Sequence, residues 1–175
     1  MSVMIELLPS AGPVLVVGGG AVALRRVRNL SDGGFRITVV APSILDEIRG
    51  LPGVTCFART FIDTDIPDGE SRWALVLACT GERDVNRRIG EAARAHAIPV
   101  VVADSQDEST FFTPATLRDG GLQVAVSTGG ADPALAKQLR EKIATALGPG
   151  WASLVERARS ARQSRLGRTK ESADE

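Results

Sequence analysis

A short apolar run that breaks into three glycines constrains the fold of this 175-residue chain more than any other feature. The run is Val14-Leu15-Val16-Val17, and Gly18, Gly19 and Gly20 follow it directly. Continuous Val and Leu are typical of a buried parallel strand, and glycines allow a tight turn that a Cβ would obstruct. Gly18, Gly20 and Ala23 fit the G-x-G-x-x-A pattern, in which the turn and the N-terminus of the next helix hold a pyrophosphate. The run therefore predicts a dinucleotide site at the three glycines.

Strand-like and helical segments alternate along the chain after this turn. Further strand-like runs cover residues 36–40, 54–57, 74–79 and 99–103. Such alternation favours βαβ units on a parallel sheet, which is the context that a dinucleotide loop requires. We predict an α/β fold: a Rossmann-like parallel sheet, a small α+β dimerisation segment and a C-terminal helical tail. The alternative for the glycines is a tight turn that binds nothing.

The pattern changes after Asp104. Two β-like runs, 111–117 and 122–126, flank Asp119-Gly120 and predict a hairpin. Asp132-Pro133 predicts the start of a helix that ends near Leu147. A hairpin with one or two helices buries little surface alone, so we expect this segment to pack on a second subunit. We therefore predict a Rossmann dinucleotide-binding domain at 1–104, a dimerisation segment at 105–147 and a short helical tail at 148–175.

The composition argues against several classes of partner. The formal net charge is zero, which does not favour nucleic acid or an acidic membrane. No apolar run approaches the roughly 20 residues that cross a bilayer, and the N-terminus lacks the pattern of a secretory signal. We expect a cytoplasmic protein with no nucleic-acid or membrane partner. Cys56, Cys79 and His96 lack the spacing of a metal site, so we predict no bound metal.

Polar residues at predicted strand ends supply candidate site residues. Thr80 and Gly81 follow the fourth strand, at the edge where open α/β sheets bind ligands. They suit the ribose on the nicotinamide side, and a plain strand-to-helix turn is an equal alternative. Asp104 ends the fifth strand at the same edge and is our candidate general acid or base, with a turn or helix-cap role as its alternative. No acid follows the second strand, where one usually binds ribose hydroxyls, and Ser43 is the neutral candidate there.

A second loop has the composition of an anion site. Ser127, Thr128, Gly129 and Gly130 combine hydroxyls with backbone amides before a predicted helix. They suit substrate carboxylates, and helix capping is the alternative. The arginine-rich segment after Trp151 leaves a similar choice between an acidic substrate and a solvated helix.

Several motifs, taken in order, resemble the precorrin-2 dehydrogenase domain of the sirohaem synthase family. They are Val17–Ala23, Thr38–Pro42, Ala78–Thr80 with Val85-Asn86, Val102–Asp104, residues 111–114 and Val124–Gly130, and the similarity runs from about residue 5 to residue 147. Members of this family oxidise precorrin-2 to sirohydrochlorin with NAD as hydride acceptor, and some then insert ferrous iron to give sirohaem. They are homodimers joined through the segment after the Rossmann domain. The resemblance does not include the methyltransferase domain that is fused in some members.

The resemblance also implies roles for individual residues. The family's essential aspartate falls on Asp104, its dinucleotide contacts fall on Ala21-Val22 and Pro42-Ser43, and a serine near its tetrapyrrole site falls on Ser127. We therefore expect a homodimeric, NAD-dependent precorrin-2 dehydrogenase, with iron insertion left open. Two alternatives remain: a non-enzymatic dimeric module that senses NAD(H), and a dehydrogenase of another anionic substrate.

Overall fold

The computed structural model describes residues 2–67 and 73–171, with side chains through residue 165. The chain divides into two compact units, Met1–Phe112 and Thr113–Glu175. In the first unit the strands are β1 (Val14–Val17), β2 (Ile37–Ala41), β3 (Val54–Ala58), β4 (Leu75–Ala78) and β5 (Val100–Val102). Its helices are α1 (Ala21–Asp32), α2 (Asp46–Arg49) and α3 (Arg83–Ala95). The predicted alternation of strands and helices is confirmed.

The five strands form one parallel sheet in the order β3-β2-β1-β4-β5. The chain builds outward from β1 to β3 and then crosses over to β4 on the other side of β1. Val17, the last residue of β1, lies in register with Val40 of β2 and Ala78 of β4. The strand order therefore reverses between β1 and β4, and the carboxyl ends of these strands meet at that point. Ligands of open α/β sheets bind at such a reversal.

The core of the first unit has two layers because alternate residues of each strand point to opposite faces of the sheet. Val16 and Val39 pack on one face with Val27 of α1. Leu15 and Val76 pack on the other face with Ile89 of α3. All of these side chains are fully buried, and each contributes about 1.5–3 kcal/mol of hydrophobic stabilisation. The sheet is therefore a rigid base for the loops at its edge.

The free edge of β5 is covered by the segment that follows it. The Ser109 hydroxyl accepts a hydrogen bond from the Val102 amide (2.9 Å), and the Thr110 hydroxyl accepts one from the Val100 amide (2.8 Å). The Thr110 amide donates in turn to the Val100 carbonyl (2.8 Å). The first compact unit extends to Phe112, whereas the predicted boundary follows Asp104.

The second unit contains an antiparallel hairpin and two helices. Its elements are β6 (Ala115–Asp119), β7 (Leu122–Val126), α4 (Pro133–Leu147) and α5 (Trp151–Glu171). The predicted hairpin is confirmed, but β6 begins at Ala115 because the preceding Pro114 has no N–H to pair. Asp132 caps α4, as predicted, by accepting hydrogen bonds from the amides of Ala134 and Leu135. Asp119 caps α5 in the same way through the Trp151 amide (2.8 Å).

The second unit buries very little of itself. Among the described side chains of residues 113–165, only Ala136 is buried. The side chains of β7 alternate between half-buried and exposed, and Leu135, Leu139 and Leu154 of the two helices are exposed. This unit lacks a core of the kind that stabilises the first.

No helix within the described ranges combines the length and the apolarity needed to span a membrane.

Candidate functional site

The turn between β1 and α1 packs against the loops that follow β2 and β4. Gly18 has φ +125°, a conformation that L side chains rarely adopt, and a Cβ there would collide with the carbonyl oxygen of Cys79. A Cβ on Gly19 would collide with the carbonyl oxygen of Ser43. The protein itself therefore requires both residues to be glycine. Their close approach brings the N-terminus of α1 to the point where the strand order reverses.

Gly20 differs from its two neighbours because no protein atom lies within 4 Å of the position of a Cβ there. Its backbone is extended (φ −91°), and it occupies the N-cap position of α1 without a side chain to accept hydrogen bonds. The first turn of α1 carries no acidic residue. Its first amides therefore lack intrahelical acceptors and meet no nearby carboxylate of their own helix. This combination fits an anion such as a pyrophosphate.

A cavity of about 420 Å³ lies beside this helix terminus. Walls come from the glycine turn, the end of β2, the β3–β4 connection, the β4–α3 loop and α3. The lining includes Val17, Gly18, Gly19, Gly20, Val40, Ala41, Pro42, Ser43, Thr60, Phe61, Cys79, Thr80, Gly81, Glu82, Val85 and Arg88. Gly81, like Gly20, has no protein atom within 4 Å of the position of a Cβ. Both glycines thus leave room for a ligand, and the amides at the start of α1 suit the pyrophosphate of a dinucleotide.

Most of the predicted cofactor-binding residues line this cavity together. Gly18, Gly19, Gly20, Pro42, Ser43, Thr80 and Gly81 all belong to its walls. Ala21 and Val22 begin α1 beside it and are not among the lining residues. Their backbone amides, rather than their side chains, are the groups that the helix terminus offers.

Sequence reasoning missed the wall made by the β3–β4 connection. Thr60 and Phe61 reach the cavity from a segment that the buried Asp65 organises. The Asp65 carboxylate pairs with Arg59 (2.5 Å) and accepts a hydrogen bond from the Ile62 amide (3.0 Å). No residue spacing marks this segment as part of a site. The local sequence offers one signal of this turn, namely Asp65 three residues after the apolar Ile62.

Arg88 of α3 was also missed, and it fixes the same wall from the other side. Its guanidinium makes a two-pronged ion pair with Asp63, at 2.8 and 2.5 Å, and lies 5.9 Å from the centre of the Phe61 ring. The pair raises the pKa of Arg88 and lowers the pKa of Asp63, in both cases chiefly through the hydrogen bonds between them. Arg88 thus joins α3 to the β3–β4 connection at the rim of the cavity.

Cys79 places a neutral thiol in the wall of the cavity. Burial raises the pKa of this thiol to about 11; Arg26 and Arg25 oppose the shift, and the charge of Asp104 adds to it. The side chain is 7% exposed. Cys79 is therefore an unionised, weakly polar group at neutral pH, in agreement with the structural role that its apolar surroundings predict.

Asp104 lies in the turn after β5, at the same sheet edge as the cavity but outside its lining residues. Its carboxylate is 38% exposed and lies 3.9 Å from the guanidinium of Arg83. Arg83 also pairs with Glu108, and that hydrogen bond holds the pKa of Glu108 below its usual value. The charge of Asp104 acts on Cys79, which does line the cavity. The structure thus brings the predicted aspartate next to the site within an Arg83–Glu108 cluster that the sequence did not indicate.

The Ser127–Gly130 loop of the second unit is held largely by its own hydrogen bonds. The Thr128 hydroxyl bonds the Asp132 backbone at 2.9 and 3.1 Å, and the Gly129 amide donates to the Ser127 hydroxyl (3.1 Å). Because Asp132 caps α4, the amides at that terminus already have an acceptor. The exposed Ser127 hydroxyl keeps its own hydrogen for donation. Thr128 thus holds the backbone of the residue that caps α4.

Within the described parts of the chain, no three His, Cys, Asp or Glu side chains gather closely enough to hold a metal ion. The candidate site therefore consists of backbone amides, hydroxyls, one thiol and the charged pairs around it.

Comparison with known proteins gives two separate family matches along the chain. A family model described as "Putative NAD(P)-binding" matches residues 7–115, and one described as "Sirohaem biosynthesis protein central" matches residues 119–146. The siroheme synthase of Ectopseudomonas mendocina is 43% identical over 134 residues, which are 76% of this chain and 28% of that protein. The siroheme synthase of Methylococcus capsulatus is 38% identical over 154 residues, 86% of this chain and 32% of that protein. This chain thus spans about a third of the length of the curated relatives that it matches.

A solved structure, "SirC, precorrin-2 dehydrogenase", is similar over most of its length. The TM-score is 0.67 and the sequence identity is 27%, with 89% of this chain and 75% of that chain covered. The similarity extends over a Rossmann-like fold with the additional segment, which is the fold class that the sequence predicted.

Gly20→Asp should weaken dinucleotide binding strongly while leaving the fold intact. Asp is a preferred N-cap residue and meets no protein atom here, so the free energy of unfolding should stay level or rise by a few tenths of a kcal/mol. Its charge would oppose a pyrophosphate by about 3 kcal/mol at roughly 5 Å and an effective dielectric of about 20. Calorimetric titration with NAD should therefore show affinity reduced roughly a hundredfold.

Gly20→Asn is the matched control, because it has the same shape and capping ability without the charge. It should lose less NAD affinity than Gly20→Asp. Wild-type affinity in the Asp variant would place the pyrophosphate elsewhere.

The buried thiol of Cys79 should make the protein less stable in alkali. Below pH 9.0, the ordinary pKa of the thiol, both states are protonated; between there and pH 11 only the unfolded chain loses the proton. The free energy of unfolding should fall by roughly 2–3 kcal/mol over that interval. Denaturant titrations at several pH values, with reductant present, measure this slope.

Cys79→Ala should remove most of that pH-dependent loss, and Cys56→Ala should retain most of it. Cys56 is only half-buried, and burial also raises the pKa of its thiol. An unchanged slope in Cys79→Ala would show that another group titrates.

Proposed function

Because the chain belongs to the NAD(P)-binding family whose model matches residues 7–115, we propose that it binds NAD in the cavity beside Gly20 and oxidises precorrin-2 to sirohydrochlorin. The observation that carries the proposal is the open space at Gly20 and Gly81, on two loops that line one cavity where the strand order reverses. The similarity to a solved precorrin-2 dehydrogenase supports the choice of substrate.

The residues of the cavity divide the work of binding. The first amides of α1, at Ala21 and Val22, receive the pyrophosphate, since the helix dipole favours an anion there. Pro42 and Ser43 receive the adenosine side through backbone groups and a neutral hydroxyl. Thr80 and Gly81 receive the ribose on the nicotinamide side.

The chemistry requires a hydride acceptor and a proton acceptor. When bound, NAD supplies the hydride acceptor. Asp104 accepts the proton that the substrate loses, because it is an accessible carboxylate at the same sheet edge. Arg83, which Glu108 holds in place, lies 3.9 Å from Asp104 and positions its carboxylate. Two electrons and one proton leave the substrate as hydride, and a second proton passes to Asp104.

The second unit supplies groups that suit a polycarboxylate tetrapyrrole. Ser127 offers a hydroxyl donor in the loop before α4, with Thr128, Gly129 and Gly130 shaping that loop. Exposed arginines follow along α5, namely Arg157, Arg159, Arg162 and Arg165. Guanidinium groups bind carboxylates through paired, charge-assisted hydrogen bonds, and hydroxyls donate to them as well.

The second unit also forms a homodimer in this proposal. Only Ala136 is buried among its described side chains, and Leu135 and Leu139 lie one helical turn apart on α4 with 43% and 38% exposure. A unit without its own core needs another surface to cover its apolar side chains. A second copy of the same chain is the partner that the family resemblance implies.

Anaerobic incubation with precorrin-2 and NAD tests the proposed activity. The wild-type protein should produce NADH and the absorption spectrum of sirohydrochlorin together, and Asp104→Asn should lower turnover by about 10²–10⁴-fold. The affinity of Asp104→Asn for NAD should be unchanged. Addition of ferrous ions after oxidation then tests whether iron insertion follows, with iron as a second substrate.

Asp107→Asn is the matched control, because Asp107 is an exposed carboxylate in the same segment. It should keep wild-type turnover. NAD binding without turnover in the wild type would favour an NAD(H)-sensing module, and full activity in Asp104→Asn would remove that residue from the mechanism.

Leu139→Arg should convert the homodimer to a monomer, because a charge would replace an exposed apolar side chain on the proposed interface. Light scattering coupled to size-exclusion chromatography measures the mass. Lys142→Arg, on the same helix, keeps its charge and should leave the dimer intact. An unchanged mass for Leu139→Arg would exclude α4 from the interface.

A further inference from the structure

Asn86 is a fully buried polar residue in the first turns of α3, and its side chain is committed to Thr80. Its Oδ1 accepts hydrogen bonds from the Thr80 amide (3.0 Å) and from the Thr80 hydroxyl (2.8 Å). Its Nδ2 donates to the Thr80 carbonyl (3.1 Å). Because an N–H faces Oδ1 and a carbonyl faces Nδ2, the orientation of the amide is determined by its partners.

These bonds hold the loop between β4 and α3 at both ends. The Thr80 hydroxyl also accepts a hydrogen bond from the backbone amide of Glu82 (3.1 Å), and the backbone amide of Asn86 donates to the Glu82 carbonyl (3.0 Å). Gly81 lies between these fixed residues, and glycine alone would leave the loop free to move. The side-chain amide of Asn86 therefore fixes the backbone conformation of a loop that contains a flexible glycine.

The same loop lines the cavity together with the glycine turn. Thr80, Gly81 and Glu82 line the cavity, whereas Asn86 does not. The distance between the two loops is already close to its minimum, because the Cys79 carbonyl occupies the space where a Gly18 side chain would lie. A shift at Thr80 would therefore change the width of the cavity itself.

We propose that Asn86 is a positioning residue for the cofactor: it acts through Thr80 to fix the wall that receives the nicotinamide-side ribose. This inference rests on the proposed function. It assigns an influence on NAD affinity to the hydrogen bonds of Asn86, a residue that does not line the cavity. If Asn86 served only the stability of the fold, its replacement would change unfolding and leave NAD affinity unchanged.

Asn86→Asp tests the proposal because it keeps the size and the Oδ1 acceptor while making the donor depend on pH. At about pH 8 an ionised carboxylate cannot donate to the Thr80 carbonyl, and the Kd for NAD should rise about tenfold, the effect of one lost hydrogen bond. At about pH 5 a buried, protonated acid can donate again. The Kd should then return towards the wild-type value at the same pH.

Ile89→Val is the matched control, since Ile89 is fully buried one turn further along α3 and packs in the core rather than at the cavity. It should lower the free energy of unfolding and leave the Kd for NAD unchanged. An Asn86→Asp protein that is folded and binds NAD as the wild type does at both pH values would overturn the proposal.

Amide hydrogen exchange provides a second measurement that needs no variant. In the wild-type protein without NAD, the Thr80 amide should exchange as slowly as the amides inside β4. Exchange at the rate of an exposed loop amide would overturn the proposal even where Asn86→Asp fails to fold.

The two hypotheses fail in different ways. If the wild-type protein binds no NAD, the proposed function fails and takes the role of Asn86 with it. If the wild type binds NAD and Asn86→Asp binds it equally well, only the role of Asn86 fails.

Discussion

The close approach of two backbones, at Gly18 and at Cys79, is the constraint on which the site depends. The Cys79 amide donates to the Val17 carbonyl at 2.7 Å, and the Cys79 carbonyl fills the space beside Gly18. This contact brings the glycine turn before α1 and the β4–α3 loop into the wall of one cavity. A side chain at Gly18 would collide with the Cys79 carbonyl and force the two segments apart. The glycine turn thus acts first as a packing device, and within that turn only Gly20 leaves space for a ligand.

Much of the first unit follows from local sequence. Val14–Val17 and the three glycines predict a buried strand and a turn, because the cause lies within ten consecutive residues. The walls of the cavity could not be predicted in this way. Arg83 pairs with Glu108 and Arg88 pairs with Asp63, in each case across 25 positions of sequence. Only the packing of α3 beside the sheet brings these partners together, and no spacing rule describes it.

The boundary of the first unit illustrates the same limit. The change in sequence pattern after Asp104 indicates that the strands of the sheet have ended. It did not reveal that Ser109 and Thr110 return to cover β5 with their hydroxyls. Side-chain hydroxyls here replace the hydrogen bonds of a sixth strand, so the segment has no strand pattern to recognise. An uncovered edge of β5 would offer free amides for unwanted pairing, which gives this segment a structural purpose beside the candidate site.

The end of β2 shows how the site manages without the acid that usually follows this strand. A carboxylate there binds the ribose hydroxyls of NAD and repels the extra phosphate of NADP. This chain places Pro42 and the neutral Ser43 at that position in the cavity wall. Arg88, the arginine among the residues that line the cavity, is already paired with Asp63. The lining residues at the end of β2 and on the facing segment, namely Ala41, Pro42, Ser43, Thr60 and Phe61, are all uncharged. This part of the described wall therefore lacks the carboxylate or the arginine by which such sites usually distinguish the two cofactors.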